Sequence, residues 1–275
     1  MTNSVNTNAG AMIALQNLNR TNMELEQVQS RINTGLAVSG AKDNGGIYAI
    51  AQRMRSEVSG YKAVQDSLNR AVSTVDVALA GGEAISDLLI EMKEKALASA
   101  DSSLDTASRS ALNEDFKALR DQITTIVGNA EINGTNLINN TVSQVTALAN
   151  ADGSNTITVL DENLSLGGGI VTIAATASFA TATQADTIAS QLGTSLDNVN
   201  AALARLGTKS KALEIHSTFV TKLSDSLTEG IGNLVDADLA RESAKLQSLQ
   251  VKQQLGIQAL SIANQSPQSI LSYFR

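Results

Sequence analysis

Apolar residues recur along this chain at alternating steps of three and four. The first series reads Asn8, Ala11, Leu15, Leu18, Asn22, Leu25, Gln29, Ile32 and Leu36. Its mean step is about 3.5 residues, the period that keeps one stripe of a helix against a partner helix. Gly35 and Gly40 then interrupt it, and Asp43-Asn44-Gly45-Gly46 reads as a turn with a helix start close after it. A second series runs from Ile47 through Ala51, Met54 and Val58 to Leu79, passes Gly81-Gly82, and continues through Ile85, Leu89 and Met92 to Ala96. At about 1.5 Å per residue, a helix over 47–100 would be roughly 80 Å long, which argues for a rod. A break near Asp101-Ser102-Ser103 precedes a third series, from Leu112 to Ala130.

The pattern then changes character. Asn133-Gly134 is a turn signal. No basic residue stands between Arg120 and Arg205, and 141–185 is rich in Ser and Thr, with the run Gly167-Gly168-Gly169. Alternation over Thr156–Leu160 and Ile170–Ile173 suggests a short hairpin or two. Helical spacing resumes from Ile188 to Leu227. A last series follows: Val235, Leu239, Glu242, Leu246, Leu249, Gln253, Gly256, Leu260 and Ala263.

These periods predict a mainly α protein, with long helical rods, coiled-coil termini and a small β-hairpin or loop region in the middle. Residues 1–44, with a linker, and 234–275 are the expected halves of a terminal coiled-coil domain. Residues 45–135 and 186–233 supply the rod helices, and 136–185 is expected to be an exposed hairpin and Thr/Ser-rich region. An up-and-down arrangement makes the first and last series partners.

Composition sharpens the picture. Hydrophobic residues make up 43% but aromatic residues only 3%, which suits narrow helix seams better than a thick core. The single proline, Pro267, leaves 266 residues before it free of helix breakers of that kind. Cysteine is absent, which excludes disulfides and thiolate chemistry. A net charge of −7 disfavours nucleic acid as a partner. No stretch reads as a membrane span. Residues 1–19 carry no charge, and they lack the basic start and apolar core of a secretory signal, so export without a cleaved signal is expected.

Candidate chemistry is sparse. Gly35–Asp43 has the look of a phosphate-binding loop, but the spacing to Lys42 is one residue too long and Asp43 stands where Ser or Thr must ligate magnesium. A linker between helices fits better. His216 is the only histidine and falls on a helical series, so a packing role is expected. Asp236 and Asp238 read as acids at a helix N-terminus. No catalytic residue, cofactor or metal is expected. Asn8, Asn22, Gln29, Glu242 and Gln253 occupy seam positions where Leu or Ile would be more stable, and such residues set register at a cost in stability.

Three stretches carry a family resemblance. Ser30-Arg31-Ile32-Asn33-Thr34-Gly35-Leu36 with Ser39-Gly40-Ala41-Lys42-Asp43-Asn44 closely resembles the N-terminal signature of flagellins. Asp236-Ala237-Asp238-Leu239-Ala240-Arg241-Glu242, followed by Gln265-Ser266-Pro267-Gln268-Ser269-Ile270-Leu271, resembles their C-terminal one. Asn133-Gly134-Thr135-Asn136-Leu137-Ile138 resembles the turn leading to their β-hairpin. The resemblance implies a non-enzymatic, secreted subunit of the extracellular flagellar filament, of the short type without large outer domains. It implies a homopolymer whose terminal helices form an inner tube and whose rods form an outer one. It also implies export through the flagellar type III apparatus, with an export chaperone and cap and junction proteins as partners. The assembly seam is then expected at Leu15, Leu18, Asn22, Leu25, Gln29, Ile32, Leu36, Val235, Leu239, Leu246, Leu249, Gln253 and Leu260. A hook–filament junction protein is the rival of the same architecture.

Overall fold

A computed structural model describes residues 7–271, with side chains as far as Gln265. Among the described residues, five helices and one hairpin follow in order: α1 Ala9–Thr34, α2 Gly45–Ser99, α3 Thr106–Asn129, β1 Gln144–Leu148, β2 Thr156–Leu160, α4 Ala182–Val235 and α5 Leu239–Leu271. The ends are set by local chemistry. The side chains of Asn8, Asn44, Asp105 and Asp238 accept from N–H groups of the first turns of α1, α2, α3 and α5. Gly35 ends α1 at φ 71°, a left-handed conformation that glycine adopts without steric cost.

The chain divides into two compact units. One takes both chain ends, up to Ser56 and from Ser226; the other is Glu57–Asp225.

In the Glu57–Asp225 unit, α2 and α4 run antiparallel. Gln65 Nε2 donates to Thr221 Oγ1 at 2.7 Å, and Ser210 Oγ to Asp76 Oδ1 at 3.3 Å. Leu68, Val75, Ile85, Leu89 and Met92 of α2 share one core with Phe116 and Ile123 of α3 and Leu192, Val199 and Leu206 of α4. The glycine pair that interrupts the second series does not interrupt the helix. A Cβ on Gly81 would lie 3.0 Å from Ile138 Cδ1, and one on Gly82 2.6 Å from Leu203 Cδ2. The pair marks close packing inside α2.

The middle region, expected as an exposed hairpin and Thr/Ser-rich stretch, also contributes to the core. Leu137, Ile138, Leu164, Val171, Ile173 and Phe179 are all buried in the same core. Phe179 meets Phe116 with ring centroids 5.1 Å apart, and Arg120 Nη1 donates to the Ala177 carbonyl at 2.7 Å. β2 forms over Thr156–Leu160 as the alternation predicts, with β1 as its antiparallel partner. Ile170–Ile173 is not a strand. Two of its backbone groups bond α4 side chains instead: Thr172 N–H donates to Ser195 Oγ, and Asn198 Nδ2 to the Ile170 carbonyl, while the Val171 carbonyl accepts from Gly167 N–H. Asn133 and Gly134 both have positive φ, 51° and 75°, as a tight turn between the bridged Ile132 and Thr135 needs.

Candidate assembly site

Everything that sets the two chain ends together lies in the other unit. α1 and α5 pack against each other in antiparallel register, so partners on α5 move back along the chain as α1 advances. Asn8 Nδ2 donates to the Ala263 carbonyl at 2.6 Å. Further along, Leu18 packs on Gly256, where an added Cβ would lie 3.3 Å from Leu18 Cδ1. Gln253 Nε2 donates to Asn22 Oδ1 at 2.8 Å. Leu25 and Val28 close over Leu249, with Ile32 and Leu246 beside them. Arg31 Nη1 then pairs with Glu242 Oε1 at 3.1 Å. This pair is one-armed: Arg31 Nε and Glu242 Oε2 are buried without partners.

The polar seam residues Asn22, Gln253 and Glu242 are therefore matched across the helix pair. Gln29 is not among them. It is exposed, and Val28 takes the inner position. After Leu25 the inner face is reached by a step of three to Val28, not the step of four to Gln29, and the facing residue Leu249 makes that choice. Leu15 and Leu239 are likewise exposed within the single chain, whereas Leu260 is half-buried.

Beyond the helix pair, the two signature stretches meet through their backbones. Leu36 and Asp236 form an antiparallel bridge. Ala237 N–H donates to the Gly35 carbonyl at 2.9 Å, and Ala37 N–H to the Val235 carbonyl at 2.7 Å. A small core of Val38, Ala51 and Val235 sits there, with Leu36, Ile47, Tyr48 and Ile231 around it. Thr34 Oγ1 donates to the Ser30 carbonyl and accepts from Leu36 N–H, which ties the helix end to the bridge.

The Ser39–Asn44 segment is a turn. Asp43 Oδ2 accepts from Ser39 Oγ at 2.9 Å, from Ser39 N–H at 3.0 Å and from Gly40 N–H at 3.1 Å. The Ser39 hydroxyl first, then the two N–H groups, hold its carboxyl below the usual carboxylate value. The donors that a phosphate would need are thus occupied by Asp43. Ala41 and Lys42 are exposed on this turn.

Asp236 and Asp238 have separate roles. Asp238 Oδ1 accepts from Arg241 N–H as the cap of α5, in line with an acid at a helix start. Asp236 lies in the bridge to Leu36 instead. Asn133 and Gly134 belong to the Glu57–Asp225 unit and take no part here. The side chains of Pro267 and Gln268 lie outside the described residues. His216 is also in the second unit; its Nε2 lies 2.7 Å from the Ala149 carbonyl, a packing role.

Sequence periodicity did not single out Val28, Val38 or Arg31. Arg31 had a readable signal: an opposite charge, Glu242, at the matching place in the last series. Among the described residues no helix is long and apolar enough to cross a membrane, and no group of three or more His, Asp or Glu could hold a metal ion.

Comparison with known proteins bears on this arrangement. Residues 5–143 match the family model of the bacterial flagellin N-terminal helical region, and residues 189–274 that of the C-terminal helical region. The chain is 58% identical over 273 residues to the flagellin FljM of Caulobacter vibrioides, covering 99% of each chain. It is 36% identical over 292 residues to a flagellin of Brucella melitensis, again covering 99% of each. The fold is similar to that of Bacillus cereus flagellin, with a TM-score of 0.50 and 21% identity over 56% of this chain and 88% of that one. A putative flagellar hook-associated protein from Vibrio parahaemolyticus gives a TM-score of 0.57 at 15% identity, over 70% of this chain and all of that one.

Proposed function

The chain belongs to the bacterial flagellin family, and from that premise we propose that the α1–α5 pair is the seam through which its copies polymerise. The chain is a structural subunit of the extracellular flagellar filament, and the hook–filament junction reading is not favoured.

One observation carries the seam. The buried cluster of the helix pair is only Leu25, Val28 and Leu249, yet the pair carries exposed apolar side chains as well. Met12, Ile13, Leu15 and Met23 of α1 are more exposed than not or nearly so, and so are Val251, Leu255 and Ile257 of α5; Ile262 is 69% exposed. Several large apolar side chains left exposed on one helix pair point to an interaction site. Further copies of the same helix pair supply the matching apolar surface. A head-to-tail contact that does not close generates a helical polymer. Leu15 and Leu239, exposed in one chain, then serve contacts between chains, while Leu18, Asn22, Leu25, Ile32, Leu36, Val235, Leu246, Leu249, Gln253 and Leu260 hold the chain's own two ends.

By family likeness the chain works mechanically, as a structural subunit. The single histidine is engaged at a backbone carbonyl, and Asp43 is spent on its own turn. The export chaperone and the cap and junction proteins are partners by family likeness. Electron microscopy of the purified protein tests the function: long filaments are expected. A preparation that yields only monodisperse monomers or short caps would overturn it.

A further inference from the structure

Asn8 makes two bonds that point in different directions. Its Oδ1 accepts from Ala11 N–H at 3.0 Å and caps α1. Its Nδ2 donates to the carbonyl of Ala263, 255 positions away in the chain. Inside a helix, that carbonyl would be filled by the N–H four residues further on. Four residues after Ala263 stands Pro267, the one proline of the chain, which has no N–H. The acceptor that Asn8 reaches is therefore the one acceptor in this sequence that a proline leaves open.

We propose that Asn8 and Pro267 form a register latch: the proline opens a single carbonyl on α5, and Asn8 is the positioning residue on α1 that fills it. A latch is needed because apolar seams are tolerant of sliding. Moving one helix by a heptad still sets Leu18 or Ile32 opposite Leu249 and so keeps part of the burial. The same slide takes Asn8 away from Ala263 and leaves the carbonyl without a donor. Covered by neighbouring copies, it cannot turn to water, and a buried unpaired carbonyl is costly. The capping bond adds direction, since it holds the Asn8 amide at the first turn of α1 while the other end reaches across. Asn22 with Gln253, and Arg31 with Glu242, mark the same register further along. Asn8 extends it to the first turn of α1.

The latch rests on reading α1 and α5 as the assembly seam, and the test separates the two. Four full-length proteins are compared: wild type, Asn8→Ser, Pro267→Ala and the double variant. Serine keeps the cap but is too short to reach Ala263. Pro267→Ala gives the carbonyl its own helical donor. Filaments are dissociated and regrown, and the monomer left at equilibrium is measured. Asn8→Ser is expected to raise that monomer concentration about tenfold beside Pro267, the scale of one unpaired polar group, but less than about twofold in the Pro267→Ala background. Equal effects in both backgrounds overturn the latch, whether both are large, both are nil or both variants fail to polymerise. A wild-type protein that forms no filament overturns the seam itself.

Discussion

A single carboxylate organises the turn between the first two helices. Asp43 collects three hydrogen bonds from Ser39 and Gly40 while remaining at the surface. All three favour the charged form, so its folded pKa lies below the ordinary 3.8. The sign of the linkage follows. The stabilisation is fully present above the unfolded value, and it is lost as pH falls through the lower folded value. At neutral pH the turn is therefore insensitive to small changes in acidity. A titration of the Ser39 and Gly40 amide resonances in the monomer should show a common midpoint below 3.8. The same titration of Asp43→Asn should show no such step. A wild-type midpoint at or above 3.8 would mean that the turn does not form in solution.

At the scale of elements, what matters is how α1 recognises α5. The Arg31–Glu242 pair sits where the seam runs into the signature bridge, with side chains 27% and 13% exposed. Its single contact leaves two buried atoms unpaired, so it is a marker of register more than a source of stability. Arg31→Met should weaken α1–α5 pairing by about 1–3 kcal/mol, because Glu242 is left charged and alone. Arg31→Met with Glu242→Met should recover most of that loss, since two apolar side chains would extend the cluster of Ile32 and Leu246. The thermal midpoint of filament dissociation measures both, and a double variant weaker than the single one contradicts the account. The order of the helices was legible from spacing alone, because a 3–4 repeat has few other solutions. The true inner face of α1 was less legible: Gln29 and Val28 are adjacent, and only the partner helix decides between them. The middle was least legible. There, one backbone group of Ile170–Ile173 bonds to Ser195 and another to Asn198, contacts between distant parts of the chain that local alternation cannot encode.

For the whole molecule, the division into two units predicts which losses are tolerated. Deleting 239–275 removes α5 entirely. It leaves Val235, Asp236 and Ala237, which bond to Gly35–Val38, and it leaves all of Glu57–Asp225. The buried core of that second unit draws on α2, α3, the middle region and α4, and none of its members lies beyond Val220. The truncated chain should therefore keep a cooperative, largely helical fold. α1 should not survive as a stable helix, because its burial comes from Leu249 and its neighbours, and most helical stability in a protein comes from packing of the apolar face. With both seam helices gone or frayed, nothing remains to join one copy to the next. Circular dichroism should show a helical protein with a single melting transition, and electron microscopy should show no filaments at any concentration. Filaments from the truncated chain would place the polymer contacts in Glu57–Asp225 instead. Loss of all helical signal would show that the second unit depends on α5, against the separation of its core.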